Sequence, residues 1–332
     1  MKLPQITNTK GVIVFMQDQY NRKKKDSQDL STFDQKKHRS YLLADSFKRL
    51  HMDQRANRVL SCGHYLEFAT EIATGKRTLI GADFCRDRLC PMCSWRRSLR
   101  VFSDLSKVFE KVMTENSGYV PVFLTLTVRN CRPEELKSQL VSMNAAWKKF
   151  CLISPIKRAF CGWFRCLEIT YNKKDDTMHP HYHVVMLADR DYFNSKDYLS
   201  IHKIVAFWRQ ALQVDYDPVC HIRRIRDKQN CTENVRSAVL EVAKYAVKDT
   251  DYIYENDQEL TDYVVENLAV AMHQVKLVAY GGILRKVAIS LKAKDDVDDF
   301  ATIGAQSYTD PVLYVVSKYR WVAGVGKYRN EV

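Results

Sequence analysis

Three histidines at alternate positions constrain this chain more than any other feature. His179, His181 and His183 lie in the segment HPHYHVVM at positions 179–186. A β-strand sends alternate side chains to opposite faces, so the three imidazoles share one face and the residues between them can be buried on the other. Imidazole nitrogens at this spacing suit a divalent metal ion. Histidines that merely decorate a strand edge would give the same spacing, but three of the nine in the chain fall within this short stretch.

The segment before the histidines predicts a second strand that pairs with them. GWFRCLEIT, at positions 162–170, has strand character, and the polar segment NKKDDT, at 172–177, is typical of a turn. If the hairpin folds about the middle of that turn, Glu168 lies opposite His181. A carboxylate could then join the imidazoles.

The charge of the chain indicates a polyanionic partner. The net charge is +13, and residues 1–100 contain 20 Lys/Arg against 10 Asp/Glu, whereas 249–275 contain acids and no Lys or Arg. A DNA-contacting surface is therefore expected toward the N-terminal end. No apolar run is long enough for a membrane span, and the N-terminus does not resemble a signal peptide, so we expect a cytoplasmic protein without membrane contact.

A cysteine cluster predicts structural zinc. Cys62 lies in the segment CGH at 62–64, and about twenty residues later the chain carries Cys85, Cys90 and Cys93; two ligand groups at this separation suit a tetrahedral zinc site formed by the four cysteines. His64 is an alternative to Cys62 as first ligand. A redox role for CPMC is less attractive because no βαβ pattern precedes it.

A helix is expected from Ser94 to about Met113, directly after the cysteine cluster. Arg96 and Arg97 in this helix could contact phosphates, although a solvated helix face would show the same residues.

The order of predicted elements indicates an α+β fold. A strand at 121–128, a helix from 133 to 150, the two strands of the hairpin, a helix at 197–213, a strand at 219–225 and a helix at 232–248 follow one another. This is the βαββαβ order of a ferredoxin-like antiparallel sheet plus one helix, with Thr125 and Thr127 beside the histidines on the central strands. A helix after Asp257 and strands at 277–284 and 312–316 complete the chain. We therefore divide it into a basic, poorly organised arm (1–50), a zinc-binding, DNA-contacting subdomain (51–117), a ferredoxin-like core (118–255) and a C-terminal α/β extension (256–332).

The last predicted helix of the core carries a possible catalytic set. Glu241, Tyr245 and Lys248 are spaced i, i+4 and i+7, so they share one helix face. A tyrosine can act as a nucleophile that stores the energy of a cleaved bond in a covalent intermediate. Lys248 would neutralise charge on a phosphate, and Glu241 could act as a general base. An ordinary amphipathic helix would show the same pattern, and the upstream histidines make us prefer the catalytic interpretation.

Three segments together resemble a known family. FLTLT (123–127), HPHYH (179–183) and the pattern Glu241-x-x-Lys244-Tyr245-x-x-Lys248 resemble the three motifs of HUH endonucleases. More narrowly, they resemble the replication initiator (Rep) proteins of small rolling-circle plasmids of Gram-positive bacteria. The resemblance covers most of residues 55–285.

The resemblance implies a set of roles. His181 and His183 would be metal ligands, Glu168 the acidic third ligand, and His179 a ligand or a group behind them; the ion would be Mg²⁺ or Mn²⁺. Tyr245 would cut one strand at the plasmid origin, keep the 5′ phosphate and leave a free 3′-OH.

The resemblance also bears on how replication ends and on the partners. Glu241 would activate water for the terminating cleavage, while Tyr252 or Tyr254 as a second nucleophile stays open. Lys244 joins the arginines as a predicted DNA contact. Implied partners are origin DNA, a host helicase and a possible second copy of the chain.

Two other functions fit parts of the sequence. An HUH transposase or relaxase would use the same chemistry, but relaxases usually place the tyrosine before the histidines, and single-tyrosine transposases are typically shorter and lack a cysteine cluster. A non-catalytic, zinc-containing DNA-binding regulator would explain the basic N-terminal third. It would leave the histidines and the Glu241/Tyr245 face without a purpose.

Overall fold

The structure, a computed structural model, describes residues 5–7, 13–15, 30–116, 118–224, 248–291 and 314–331. Its helices are α1 (Ser31–Arg49), α2 (Asp53–Ser61), α3 (Pro91–Glu115), α4 (Leu136–Leu152), α5 (Ser154–Ala159), α6 (Ile201–Leu212), α7 (Gln258–Ala271) and α8 (Gly282–Ser290). Its strands are β1 (Gln5–Thr7), β2 (Ile13–Phe15), β3 (Tyr65–Glu71), β4 (Arg77–Ala82), β5 (Tyr119–Thr127), β6 (Gly162–Asn172), β7 (Thr177–Asp189), β8 (Cys220–Arg224), β9 (Val278–Gly281), β10 (Tyr314–Val322) and β11 (Lys327–Glu331). Short 3₁₀ turns lie at Pro133–Glu135, Arg190–Asn194 and Asp249–Asp251.

The chain divides into two compact units. Unit 1 comprises Met1–Arg96 and Asp298–Val332, and unit 2 comprises Arg97–Val297. Unit 1 thus joins the first segments of the chain to its last one, whereas the four-part division made from sequence stays a prediction. In the described ranges, none of the helices combines the length and the apolar character that crossing a membrane requires.

Unit 1 contains a six-stranded sheet packed with aromatic side chains. The strand order is β1-β2-β10-β3-β4, with β11 paired to β10, and β2 runs parallel to β10 while the other pairs are antiparallel. Phe33 of α1 makes edge-to-face contacts with Phe68, Trp95 and Tyr328, at ring-centre distances of 5.6, 4.8 and 6.4 Å. Such pairs add to the area that they bury.

Helix α1 corrects the expectation of a poorly organised arm across 1–50. Its buried side chains recur at helical spacing and include Phe33, Lys37, Leu43 and Phe47. The polar members of that stripe, Lys37 above all, conceal its amphipathic character in the sequence. Positions 1–4, 8–12 and 16–29 lie outside the described residues.

Unit 2 is built on a five-stranded antiparallel sheet in the order β8-β5-β7-β6-β9. On one face, Leu105 and Phe109 of α3 pack with Phe164 and Val185 in a buried cluster. The opposite face carries an aromatic group from the strands, α4 and α6, of which Trp208 is fully buried. Burial on both faces explains the nearly continuous apolar character of the central strand β7.

The α+β class with antiparallel sheets is confirmed, with one local correction. Ile283 and Leu284, predicted as strand, begin helix α8 instead, because the chain turns at Gly282, where φ is +57°. A Cβ at Gly282 would lie 2.1 Å from the carbonyl oxygen of Cys161, so a glycine is required. The helix predicted at 232–248 lies outside the described residues except for Lys248.

Candidate metal centre and cysteine cluster

Three metal-binding atoms converge on the sheet of unit 2. Glu168 lies directly opposite His181 across β6 and β7, the register expected from sequence. Glu168 Oε2 is 3.1 Å from His181 Nε2 and 2.5 Å from His183 Nε2, and the two nitrogens are 3.1 Å apart. Two nitrogens and a carboxylate oxygen aimed at one point form a group that could hold a metal ion.

The carboxylate at this point is buried and ionised. Glu168, His181 and His183 are only 6%, 9% and 9% exposed. Burial alone would raise the pKa of Glu168, but hydrogen bonds from both imidazoles, and their positive charge when protonated, hold it well below its usual range. The site therefore presents a negative oxygen beside two nitrogen ligands, which is suited to a divalent cation.

Each of the two clustered histidines has a partner for its other ring nitrogen. His183 Nδ1 is 3.4 Å from Thr125 Oγ1, and His181 Nδ1 is 3.3 Å from the backbone oxygen of His179. With a metal ion bound, Nδ1 would carry the proton and donate to these oxygens, and each Nε2 would direct its lone pair at the ion instead of donating a hydrogen bond to Glu168. Thr125 lies directly opposite His183 in the sheet, so the first motif supports the second.

The structure does not bring His179 into this group. Its Nδ1 is 2.6 Å from Asn130 Oδ1, and burial, with a smaller contribution from His181, lowers its pKa. Sequence reasoning missed Asn130, which follows β5 and carries no pattern that would single it out. His179 contacts the group through its backbone carbonyl oxygen, which lies beside His181 Nδ1, rather than through its ring.

Lys248 reaches the same centre from a distant part of the chain. Its Nζ is 3.5 Å from Glu168 Oε1, the carboxylate oxygen that does not face the histidines. The lysine side chain is 46% exposed, so solvent screens this pair and its main importance is positional. Tyr245, Glu241 and Lys244 lie outside the described residues.

The surroundings of the two tyrosines after Lys248 bear on whether either could act as a second nucleophile. Tyr252 has no exposed surface. The hydroxyl of Tyr254 donates to the backbone oxygen of Asp251 at 2.9 Å. Burial, together with Asp251 and Asp257, raises the pKa of Tyr254 to about 12. Neither environment favours a nucleophilic phenolate.

The four cysteines that the sequence predicts to bind zinc lie together in unit 1. Cys62 Sγ is 3.5 Å from Cys93 Sγ and from Cys90 Sγ, and Cys85 Sγ is 3.6 Å from Cys93 Sγ. All four sulfurs lie within 4.8 Å of one another, and the group contains Cys62 rather than His64.

Backbone amides surround this cysteine cluster. The amide of Arg86 donates to Cys93 Sγ at 3.3 Å, and that of Asp87 donates to Cys85 Sγ at 3.4 Å. Amide donors stabilise thiolates over thiols, so the donor set fits a tetrahedral zinc ion.

The arginines after the cluster have different surroundings. Arg96 is 7% exposed, its guanidinium is 5.6 Å from the ring centre of Trp95, and burial lowers its pKa to about 10. Met92 and Cys93, four and three residues earlier, are fully buried and share its helix face. Arg96 therefore faces protein rather than solvent, and Arg97 is partly exposed.

Comparison with known proteins shows extended similarity to one family. The model of the Rep_1 family, described as "Replication protein", matches residues 76–324. A "Protein rep" of Bacillus amyloliquefaciens is 36% identical over 281 residues, which covers 78% of this chain and 82% of the relative. A "Protein rep" of a Bacillus species is 33% identical over 293 residues, covering 84% and 94% of the two chains. No solved structure shows significant similarity.

Family membership follows from the extent of these matches. The matched region includes β4 to β10 and both clusters except Cys62, and the relatives align over most of their own length. Initiation of plasmid replication requires binding to the origin DNA. The chain therefore belongs to the Rep_1 family of replication proteins, the initiators of rolling-circle plasmid replication.

Proposed function

We propose that this initiator is a site-specific single-strand endonuclease that nicks a plasmid double-strand origin with Tyr245 and a metal ion held by Glu168, His181 and His183. In this proposal, the sheet of unit 2 is the ferredoxin-like HUH nuclease core. The order β8-β5-β7-β6 supports it, because a split βαββαβ unit places its fourth, first, third and second strands side by side.

One observation carries the proposal: the contact between Lys248 and Glu168. It ties the third motif to the metal-binding group, although some eighty residues separate them. Tyr245 is three residues before Lys248, and a chain spans at most about 3.6 Å per residue, so its Cα is within about 11 Å of that of Lys248. Tyr245 therefore belongs to the same short segment as Lys248, and in this proposal its phenol reaches a phosphate at the metal-binding group.

The reaction needs few groups beyond these. The Tyr245 oxygen attacks phosphorus, the bond from phosphorus to the 3′ oxygen breaks, and the phenolic proton leaves to solvent while the leaving oxygen gains one. The product is a 5′-phosphotyrosine and a free 3′-OH that can prime synthesis. A bound Mg²⁺ or Mn²⁺ would make the phosphate more electrophilic and neutralise its charge. Lys248 adds a positive charge beside the same phosphate.

Termination is assigned to Glu241 rather than to a second tyrosine. Glu241 lies one helical turn before Tyr245 if the predicted helix forms, so it could activate a water molecule for the second cleavage. The burial of Tyr252 and the hydrogen-bonded, weakly acidic hydroxyl of Tyr254 support this assignment.

The cysteine cluster of unit 1 is assigned a structural zinc ion. Its four sulfurs and amide donors leave no open ligand position, which is typical of structural rather than catalytic zinc. The ion would fix β3, β4 and the start of α3 around one point.

The outward side of β10 and β11 is a suitable DNA contact within unit 1. Lys318, Arg320, Lys327 and Arg329 are all exposed, and Arg320 lies directly opposite Arg329. Like charges in such a pair are destabilising, a cost that phosphates would offset. Acidic neighbours compensate two of the four charges: Glu67 pairs with Lys318, and Glu331 pairs with Arg320. Arg97 and Lys244 remain predicted DNA contacts. A host helicase and a second copy of the chain remain predicted partners.

The decisive variant is Tyr245→Phe, which removes one oxygen. Incubation with a single-stranded origin oligonucleotide and Mn²⁺ should give a covalent protein–DNA adduct with the wild type and none with this variant, while oligonucleotide binding persists. Tyr254→Phe is the matched control and should form the adduct normally. Adducts that persist in Tyr245→Phe would refute the assignment.

A further inference from the structure

A lysine without exposed surface lies beside the cysteine cluster. Lys37 of α1 is 0% exposed, and its Nζ donates to the backbone oxygens of Leu60 and Cys62, both at 2.6 Å. Its Nζ is also 5.1 Å from the ring centre of Tyr41. A buried ammonium is costly unless an anion compensates it.

Among the described residues, no carboxylate compensates this ammonium. In the part of the chain that the structure describes, no Asp or Glu forms an ion pair with Lys37, whose ammonium contacts the backbone of the cluster residue Cys62 directly. Burial lowers the pKa of Lys37, and negative charge on Cys62, Cys90 and Cys85 raises it. Four thiolates around one Zn²⁺ carry a net charge of −2. The loaded cluster would therefore supply the negative charge that Lys37 lacks.

We propose that Lys37 is the internal counter-ion of the zinc-loaded cysteine cluster and that it couples helix α1 to zinc binding. The inference rests on the zinc assignment proposed above. It concerns a residue outside the Rep_1 match, which begins at residue 76. The Oγ of Ser40, one turn further along α1, lies 3.6 Å from Cys90 Sγ, so the helix contacts the cluster at two points.

A purely local role for Lys37 is the competing explanation. Leu60 lies in the last turn of α2 and Cys62 caps it, so the ammonium also satisfies carbonyls at a helix C-terminus. Removal of a cap would destabilise the zinc-bound and zinc-free forms equally. Removal of a counter-ion would weaken zinc binding itself.

The test compares the zinc affinity of full-length variants by competition with a chromogenic zinc chelator. Lys37→Gln keeps hydrogen-bond donors for the two carbonyls but removes the charge, and Lys37→Met removes both. Lys48→Met, on an exposed position of the same helix, removes the same charge away from the cluster. We expect about 10- to 100-fold weaker zinc binding for both Lys37 variants, the range typical of groups behind metal ligands, and no change for Lys48→Met.

The outcomes separate the two proposals. Wild-type affinity in Lys37→Gln would overturn the counter-ion role and leave a helix cap. Wild-type protein without any bound zinc would overturn the zinc assignment itself. If Lys37→Met does not fold, Lys37→Gln decides alone. Limited proteolysis gives a second readout: removal of zinc from the wild type should expose cleavage sites within α1, and protection that is unchanged would contradict the coupling.

Discussion

Replacing His181 and His179 by alanine, one at a time, separates a metal ligand from a residue that supports one. Both histidines lie on β7 two positions apart, so the two variants remove the same side chain from the same strand face. Only His181 directs a ring nitrogen at Glu168 and His183. The pair therefore tests the placement of the metal rather than the general importance of histidine.

The expected magnitudes follow from these contacts. Loss of a group behind a metal ligand costs about 10- to 100-fold in affinity, so loss of a ligand should exceed 100-fold, or about 2.8 kcal/mol. His179→Ala keeps the backbone oxygen that lies 3.3 Å from His181 Nδ1 and loses only the ring bonded to Asn130. It should cost less than about tenfold, or less than about 1.4 kcal/mol.

The assay is calorimetric titration of Mn²⁺ into full-length protein whose cysteine cluster holds zinc and whose Glu168, His181 and His183 group holds no metal. Thermal unfolding of each variant without Mn²⁺ shows whether the fold is intact. Equal losses of affinity in His179→Ala and His181→Ala would refute the ligand assignment. Affinity retained in His181→Ala would place the metal elsewhere.

Three further outcomes are expected. Glu241→Ala should still nick origin DNA once but fail to release products cleanly; normal termination in a plasmid assay would instead favour a second tyrosine. Cys90→Ser should lose tightly held zinc in metal analysis and unfold at lower temperature, since a structural zinc ion contributes directly to folding; retained zinc would contradict the four-cysteine site. Arg320→Gln with Arg329→Gln should weaken binding to duplex DNA and reduce the slope of log affinity against log salt by up to about 2, whereas an unchanged slope would exclude this surface.

The grouping of Glu168, His181 and His183 was predictable because strand geometry leaves few choices. Alternation along β7 fixes which faces His181 and His183 share, and a short polar turn fixes the register that places Glu168 opposite His181. The cysteine spacing similarly predicted the four-sulfur group, although only the structure decides between Cys62 and His64. Local sequence is sufficient where neighbouring strands or a single loop bring the residues together.

Other features depend on contacts between distant segments, which spacing does not encode. The position of Lys37 against Cys62 joins α1 to the end of α2, and a buried lysine is indistinguishable in sequence from the exposed Lys48. Arg96 was interpreted as a DNA contact from its charge, and its burial beside Trp95 depends on packing that charge does not reveal. The placement of His179 on Asn130 depends on the path of the loop after β5.

The most direct test of the account is the identity of the residue that carries DNA after nicking. Supercoiled plasmid with the cognate origin is nicked in Mn²⁺, digested with nuclease and trypsin, and analysed by mass spectrometry. The account predicts a nucleotide joined through phosphate to Tyr245 in the peptide 245–248. A nucleotide on Tyr252 or Tyr254, or nicked circles without attached protein, would contradict it.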